Sequence, residues 1–244
     1  MASRPEAGAA LAGEFTPSLV GLREATARWV QRERGRPRCP TGVAALDALL
    51  AGGWPRGRVA ELAGVLSSGR TAVAAATVAA ATARGELVGW VDGPAAFDPA
   101  SVRAAGVDLG RVLWVRPRSA EEAVRAAELL LEVCGFTVVV VDVTGMTAAP
   151  ARRGGGERRG TLGLRLARAA ERAGSVALVL AERPWAGAHA GVTVALGPGE
   201  PRWGGGEDGG PRWLEGIAVR PRLERGGAGA AGSGTAPAGE RRLG

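Results

Sequence analysis

The residues best suited to chemistry form one short stretch, Gly64-Val65-Leu66-Ser67-Ser68-Gly69-Arg70-Thr71. It follows an apolar segment that predicts a strand and precedes an Ala-rich segment that predicts a helix. Backbone N–H groups at such a helix N-terminus converge on an anion. The spacing is that of a phosphate-binding loop, G-x-x-x-x-G-K-[ST], with arginine in the place of lysine. The predicted nucleotide-binding residues are therefore Gly64, Ser67, Ser68, Gly69, Arg70 and Thr71.

A second candidate is Asp142, which ends the Val-rich run Thr137–Val141. A carboxylate at the end of a buried strand can orient the water ligands of a magnesium ion beside a nucleotide. Asp142 would thus act on a metal only when a magnesium nucleotide binds. The alternative is a carboxylate that caps a helix or a loop. We expect no other metal site, since Cys39 and Cys134 lie far apart and form no ligand cluster.

Two further segments could contact nucleic acid or a partner. Residues 151–160 carry four arginines among glycines, which predicts either a phosphate-contacting loop or a solvated surface loop; they are Arg152, Arg153, Arg158 and Arg159. Trp185 either stacks on a base or a partner, or folds back onto its own domain. His189 is the single histidine and has no nearby carboxylate or nucleophile pattern, so we interpret it as a loop residue.

Strands and helices alternate along the part of the chain that must position these residues. We expect strands at 58–63, 87–91, 112–115, 137–141 and 176–180, and helices at 43–50, 71–84, 99–105, 120–133 and 161–173. This alternation predicts an α/β domain with a mostly parallel sheet flanked by helices. Two later strands, 192–196 and 213–223, are expected to be antiparallel, with a mobile loop or hairpin tip at 197–211.

The composition along the chain predicts three regions. Residues 1–38 would be a flexible N-terminus with an amphipathic helix at 18–34, residues 39–225 the α/β domain, and residues 226–244 a disordered Gly/Ala-rich tail. The 46% hydrophobic and 23% charged composition favours a soluble globular protein. No apolar run is long enough to cross a membrane, and the two distant cysteines fit a reducing cytoplasm.

The net charge is +7, and all of the positive charge comes from arginine, because the sequence contains no lysine. Compositional drift accounts for the loss of lysine but not for the positive sign. An acidic partner such as DNA therefore remains open.

The order and spacing of several blocks resemble the RecA recombinase family. The blocks are Thr41–Asp47, Gly52–Arg58, Glu61–Gly64, Ser67–Gly69, Asp92, Phe97-Asp98-Pro99, Gly106-Val107-Asp108 and the strand that ends at Asp142. The resemblance implies a RecA-like P-loop domain, and it makes four departures informative. Arg70 replaces the P-loop lysine, Pro94 the catalytic glutamate, Ser101 the adenine-stacking aromatic, and Ala181-Glu182 the Asn-Gln pair that senses the γ-phosphate. Pro94 is the weightiest departure, because glutamate is common elsewhere in this chain.

A RecA-like core with a degenerate ATP site resembles the ImuA family of bacterial damage-induced mutagenesis. That resemblance implies a cytoplasmic, nucleoid-associated scaffold in SOS-induced translesion DNA synthesis. Its implied partners are an inactive ImuB-like Y-family polymerase homologue, an error-prone DnaE-type polymerase, RecA and DNA. It also implies at most weak ATPase activity, with ATP and magnesium bound without efficient hydrolysis. Two alternatives are an ATP-dependent recombinase or recombination mediator, and a SulA-like inhibitor of cell division.

Overall fold

A computed structural model describes residues 31, 35–133, 135–146, 155–205 and 212–226. For residues 155–159 and 213–217 it describes the backbone alone. The chain divides into two compact units at Gly35, and the fold below belongs to the second unit, Arg36–Gly244. The predicted helix at 18–34, apart from Gln31, and the predicted tail at 226–244, apart from Gly226, lie outside the described residues.

The main sheet of the described residues has seven strands, and its central strands are Val-rich and buried, as expected of strands covered on both faces. The strands are β3 (Arg58–Gly64), β4 (Leu87–Asp92), β5 (Val112–Val115), β6 (Phe136–Asp142), β7 (Val176–Ala181), β8 (Ala190–Leu196) and β11 (Pro221–Arg225). Their order across the sheet is β11-β8-β3-β7-β6-β4-β5. A small antiparallel pair, β1 (Arg38–Cys39) with β2 (Trp54–Pro55), precedes them. The α/β fold with a mostly parallel sheet is confirmed.

Helices pack against both faces of this sheet. The helices are α1 (Ala44–Leu49), α2 (Arg70–Ala83), α3 (Pro99–Ala104), α4 (Ala120–Glu132) and α5 (Gly155–Ala173). Val73 and Val78 of α2 belong to the core on one face, and Leu130 of α4 and Leu166 of α5 to the core on the other. Local signals start two of the helices, since Asp98 caps α3 and Ser119 caps α4.

The direction predicted for β8 relative to the central strands is wrong. β8 runs parallel to β3 and lies on the opposite side of β3 from β7. The chain therefore crosses from the end of β7 to the start of β8 through residues 182–189, without the helix that usually makes such a crossover. The crossover is anchored on β3 by Glu61, a contact between distant segments that no local pattern shows.

The C-terminal strands also differ from the sequence expectation. The strand predicted at 213–223 is two strands, β10 (Arg212–Ala218) and β11, and the break falls before Pro221. Proline lacks a backbone donor and suits the first residue of an edge strand. β10 pairs with β9 (Glu200–Gly205) in a separate hairpin. The predicted loop at 197–211 is thus partly strand, and its residues 206–211 lie outside the described residues.

Candidate phosphate-binding site

The loop between β3 and α2 has a tightly bent backbone. Ser67 and Gly69 adopt the left-handed conformation, with φ of 62° and 85°. A Cβ atom on Gly64 would lie 2.5 Å from Ser68 Oγ and 2.7 Å from the Leu196 carbonyl oxygen, so this position requires glycine. The bend turns the chain from the sheet directly into α2, which is the path that a phosphate-binding loop takes.

The N-terminus of α2 has backbone donors to offer. No side chain of the described residues caps it, and the Val73 N–H bonds to the Gly69 carbonyl at 3.0 Å. The N–H groups before Val73 therefore lack helical partners, as at any helix start. Together with the helix dipole they favour an anion at this point.

Two buried side-chain atoms of the loop also lack hydrogen-bond partners among the described residues. The Oγ atom of Ser68 and the Nη1 atom of Arg70 have no hydrogen-bond partner among the described residues, although Ser68 is 1% and Arg70 7% exposed. Leaving a buried donor unsatisfied costs about 1–3 kcal/mol. A phosphate group would satisfy both side chains and the helix N-terminus, so the loop fits such a ligand. Thr71, the last residue of the predicted set, lies exposed on α2.

Asp142 ends β6 opposite Asp92 at the end of β4, so the two carboxylates occupy equivalent positions on neighbouring strands. The backbone N–H of Thr144 donates to Asp142 Oδ1 at 2.9 Å. Burial raises the pKa of the Asp142 carboxyl, while hydrogen bonds from Thr144 and the charge of Arg70 lower this pKa and the charge of Asp92 raises it. Asp142 is therefore a buried carboxylate that holds the first residues of the loop after β6, as in the loop-carboxylate alternative, and its role toward a magnesium nucleotide stays a prediction.

Asp92 organises the turn in which the catalytic glutamate was expected. Its Oδ1 atom accepts from the Ala96 N–H at 2.9 Å, and its Oδ2 atom accepts from the Phe97 N–H and the Trp114 indole N–H, each at 3.1 Å. Pro94 lies inside this turn. The Asp92 carboxylate therefore has a structural role here, because it joins the start of the turn to its end and to a distant indole.

An aromatic row continues from this turn to the edge of the sheet. Phe97 lies between Trp90 and Trp114, with ring centroids 4.9 and 5.0 Å apart. The guanidinium of Arg116 lies over Trp114, 5.7 Å from the ring centroid. The sequence pattern did not single out Trp114, because its link to Asp92 joins β5 to β4 and has no local signature.

The structure also places the remaining residues that depart from the RecA pattern, and the single histidine. Ser101 lies on α3, and its hydroxyl donates to the capping residue Asp98. Glu182 is exposed immediately after β7. His189 ends a short 3-10 turn in the crossover, which agrees with its interpretation as a loop residue.

The arginine-rich segment is only partly a loop. Residues 155–160 form the first turns of α5, so the loop predicted over 151–160 is wrong for that half. Glutamate and arginine are good helix formers, and they carry the helix through Gly156 and Gly160. Arg152 and Arg153 lie outside the described residues. Arg158 and Arg159 lie on α5 with side chains that are not described.

Trp185 is buried in the core between the crossover and α5. Its backbone N–H and that of Ala186 both donate to Glu61 Oε1, the first at 2.9 Å. Of the two interpretations of Trp185, the side chain folded back onto the domain is the one observed. The sequence pattern did not predict the role of Glu61. A glutamate inside an apolar strand indicates that it has a buried partner, but not which residue that partner is.

The C-terminal strands also reach the loop. A Cβ atom on Gly69 would lie 2.6 Å from the Cγ2 methyl of Val219, the residue that follows β10. Val219 therefore packs directly against the loop backbone, and no local pattern links the two residues.

The comparisons agree with this geometry. The RecA N-terminal domain family matches residues 31–177, more than half of the chain.

The chain belongs to the RecA family.

Its similarity to whole RecA proteins is partial. It is 41% identical over 104 residues to Protein RecA of Lactobacillus delbrueckii, which covers 42% of this chain and 31% of the relative. It is 44% identical over 103 residues to Protein RecA of Chlorobaculum parvum and 43% identical over 104 residues to that of Salinispora tropica, each covering 42% of this chain and 30% of the relative. The matched region thus spans less than a third of these RecA proteins.

Magnesium is the metal that a RecA-like ATP site implies, and the residues here fit it poorly. Asp142 already accepts from the Thr144 N–H, the charge of Arg70 lowers the pKa of the Asp142 carboxyl, and Asp92 is engaged by three donors. Within the described part of the chain, no three acidic, histidine or cysteine residues cluster as metal ligands. None of the described helices is long and apolar enough to span a bilayer.

Proposed function

We propose that this RecA-family chain is an accessory factor of damage-induced translesion DNA synthesis that uses the RecA fold as a scaffold. It would act in the cytoplasm at the nucleoid, beside an ImuB-like Y-family polymerase homologue and an error-prone DnaE-type polymerase, with RecA and DNA as further partners. The observation that carries the proposal is the Asp92 turn. There the expected catalytic position is Pro94, and the neighbouring carboxylate is committed to holding the fold.

The turn supports lapsed hydrolysis for a physical reason. A general base must lie within hydrogen-bond reach of the attacking water, and proline has no group that takes a proton. Asp92 cannot stand in without releasing Ala96, Phe97 and Trp114. Loss of a general base lowers the rate by a factor of about 10²–10⁴.

The regions expected to contact DNA also argue for a scaffold over a recombinase. The crossover after β7 is packed onto β3 and α5 through Glu61 and Trp185, which leaves that tryptophan no free face. The segment after β6 is helical from Gly155 on.

An apolar surface at the β5 edge of the sheet supports a protein partner. We call Leu113, Leu129 and Val133 the β5-edge patch. Leu129 and Val133 lie one helical turn apart and are 56% and 60% exposed. Leu113 pairs with Gly89, whose open side meets Leu130 of α4, so all three side chains lie on the α4 face. Exposed apolar groups beside an edge strand are typical of a docking surface.

ATP hydrolysis by the purified full-length chain tests the loss of catalysis. We expect little phosphate release with or without single-stranded DNA. A Pro94→Glu/Arg70→Lys variant should not improve damage-induced mutagenesis in cells. DNA-stimulated turnover at the rate of a RecA recombinase measured in parallel would contradict the proposal and favour the recombinase or mediator alternative.

Affinity capture of the partner tests the scaffold role. The full-length chain should retain an ImuB-like polymerase homologue from the same genome, and a Leu129→Ser/Val133→Ser variant should lose it. Trp203→Ser is the matched control, because Trp203 is equally exposed but lies on the β9–β10 hairpin. Binding of a tubulin-like division protein, with no polymerase retained, would replace the proposal with the SulA-like alternative.

A further inference from the structure

The loop between β3 and α2 has an exposed apolar tip. The Ser68 N–H donates to the Val65 carbonyl at 3.2 Å, which closes a turn over these four residues. Ser67, at the third position of the turn, has a φ of 62°, as in a type II turn. Leu66 occupies the second position and is 84% exposed, and Val65 is 55% exposed. Two consecutive large apolar side chains therefore extend into solvent from this loop.

A third apolar side chain reaches the loop from the C-terminal strands. Val219 is half-buried, and its Cγ2 methyl would lie 2.6 Å from a Cβ atom on Gly69. Single exposed apolar residues are ordinary on protein surfaces. Here they are informative because of their position, since they come from two segments and lie beside the start of α2.

The start of α2 offers donors for an anion beside these apolar groups. Ser68 Oγ lies inside the loop, because a Cβ atom on Gly64 would lie 2.5 Å from it. This atom and Arg70 Nη1 are buried and have no hydrogen-bond partner among the described residues. A carboxylate accepts strong hydrogen bonds from a guanidinium, a hydroxyl and the backbone N–H groups of a helix N-terminus. One carboxylate would therefore satisfy all of these groups.

Charge favours a carboxylate over a polyphosphate. Arg70 is the only cationic residue within the loop sequence 64–71, so the loop supplies one positive charge. Asp142 and Asp92 end neighbouring strands at the same edge of the sheet and would repel an anion of several charges. A carboxylate carries a single negative charge, which one guanidinium balances through two parallel hydrogen bonds.

We propose that the loop between β3 and α2 binds an acidic, apolar peptide segment of a protein partner. A carboxylate of the segment occupies the anion site formed by Ser68, Arg70 and the N-terminus of α2. A neighbouring aliphatic or aromatic side chain of the segment packs on Val65 and Leu66. The inference goes beyond the proposed function, since it holds for any partner that carries such a segment.

Selection from a phage-displayed library of random peptides tests this, with the immobilised full-length chain as bait. A Leu66→Ser/Arg70→Gln variant is used for counter-selection. The enriched peptides should share an aspartate or glutamate beside an aliphatic or aromatic residue. Enrichment no greater than on the variant overturns the proposal, and so does a set of enriched peptides with no shared acidic residue.

Fluorescence anisotropy with the most enriched peptide, synthesised with a fluorescein label, locates the contacts. Leu66→Ser and Arg70→Gln should each weaken binding by at least about tenfold. Changing the acidic residue of the peptide to its amide should weaken binding to the wild type. The same change should have little further effect on Arg70→Gln, because the two charges form one pair. Additive effects, or unchanged binding by Leu66→Ser, overturn the proposal.

ATP in excess magnesium chloride is the competing ligand in the same assay. It should bind more weakly than the selected peptide, since the loop has one cation and exposed apolar side chains. Tighter binding of ATP than of the peptide assigns the loop to a nucleotide and overturns the proposal.

Two control variants separate these effects from general changes in apolarity and charge. Leu87→Ser removes a leucine that is 42% exposed at the start of β4, on the opposite edge of the sheet from the loop. Arg125→Gln removes a positive charge from an exposed position on α4. Both should bind the peptide like the wild type.

Thermal unfolding of each variant confirms that it is folded at the temperature of the assay. Leu66 is almost fully exposed, so Leu66→Ser tests the proposal even where replacement of the buried Arg70 unfolds the chain. The polymerase capture depends on the β5-edge patch and the ATPase assay uses no peptide. The two proposals therefore fail separately.

Discussion

Replacing Glu61 with alanine tests how the crossover between β7 and β8 is held. Glu61 lies in the middle of β3 and is 2% exposed. Its Oε1 atom accepts from the backbone N–H groups of Trp185 and Ala186, and its Oε2 atom accepts from the Thr193 hydroxyl at 2.9 Å. One buried carboxylate thus accepts three hydrogen bonds and fixes a crossover that has no α-helix.

The magnitude follows from these three donors. Each buried donor left without a partner costs about 1–3 kcal/mol. The Thr193 hydroxyl can rotate toward another acceptor, whereas the two N–H groups are fixed by the backbone. We therefore expect Glu61→Ala to lower the free energy of unfolding by about 3–5 kcal/mol, which is a large part of the roughly 5–15 kcal/mol that stabilises a typical domain.

The conservative variant distinguishes hydrogen bonding from packing. Glutamine at this position can accept both N–H groups with its oxygen and donate to the Thr193 oxygen with its nitrogen. Glu61→Gln should therefore cost about 1–2 kcal/mol, the difference between charged and neutral hydrogen bonds. The exposed Glu132, whose carboxylate lies 3.9 Å from Arg172, is the control. Its replacement by alanine should cost less than about 1 kcal/mol.

Urea unfolding followed by far-ultraviolet circular dichroism measures these differences, and hydrogen exchange adds a local measurement. The amides of Trp185 and Ala186 should exchange faster in Glu61→Ala than in the wild type, with Glu61→Gln between them. A cost below about 1 kcal/mol for Glu61→Ala, or equal costs for the alanine and glutamine variants, would refute the reasoning, because an unsatisfied donor could not then be the cause.

Three further predictions concern the loop and its surroundings. Gly69→Ala should cost about 2–4 kcal/mol, because alanine is strained at φ of 85° and its Cβ would meet Val219; in a double-mutant cycle measured by urea unfolding, Val219→Ala should recover the contact part but not the backbone part. Because the folded-state pKa of Asp142 is raised, its contribution to stability is fully present below the ordinary aspartate pKa and is lost as pH rises through the folded-state value. Asp142→Asn should therefore raise the melting temperature at neutral pH and lose that advantage in acid; an advantage that grows in acid would contradict the raised pKa. Hydrogen bonds from Ser101 lower the pKa of Asp98, so the pH dependence should have the opposite sign there. Asp98→Asn should lower the melting temperature at neutral pH, and this loss should shrink as pH falls.

The strand–helix alternation was predictable because it depends on local pattern. The run Thr137–Val141 is apolar at every position except its first, which suits a strand covered on both faces and indeed forms β6. The bounds of α4 and β5 also follow from their own residues. Ser119 caps the first, and the second contains β-branched and aromatic residues bounded by turns.

The direction of β8 was not predictable in this way. Parallel strands of one sheet are usually joined through an α-helix, and residues 182–189 contain only a short 3-10 turn. What permits the crossover is a hydrogen bond between Glu61 and residues more than 120 positions away in the chain. A pattern read along the chain contains no record of such a partner.

The features of the candidate site also fall into those that the sequence predicted and those that it did not. The sequence by itself predicted a phosphate-binding loop at Gly64–Thr71, with Arg70 in the place of its lysine and Pro94 at the position expected for a base. These predictions depend only on residue type and spacing, because the conformation of a glycine-rich turn is set by its own residues. Only the tertiary structure decided that the charge of Arg70 lowers the pKa of Asp142, that Asp92 is committed to a turn and an indole, and that Val219 packs on the loop. Those relations join β3, β4, β6 and the C-terminal strands. They exist because the parallel strands bring their carboxyl ends to one edge of the sheet.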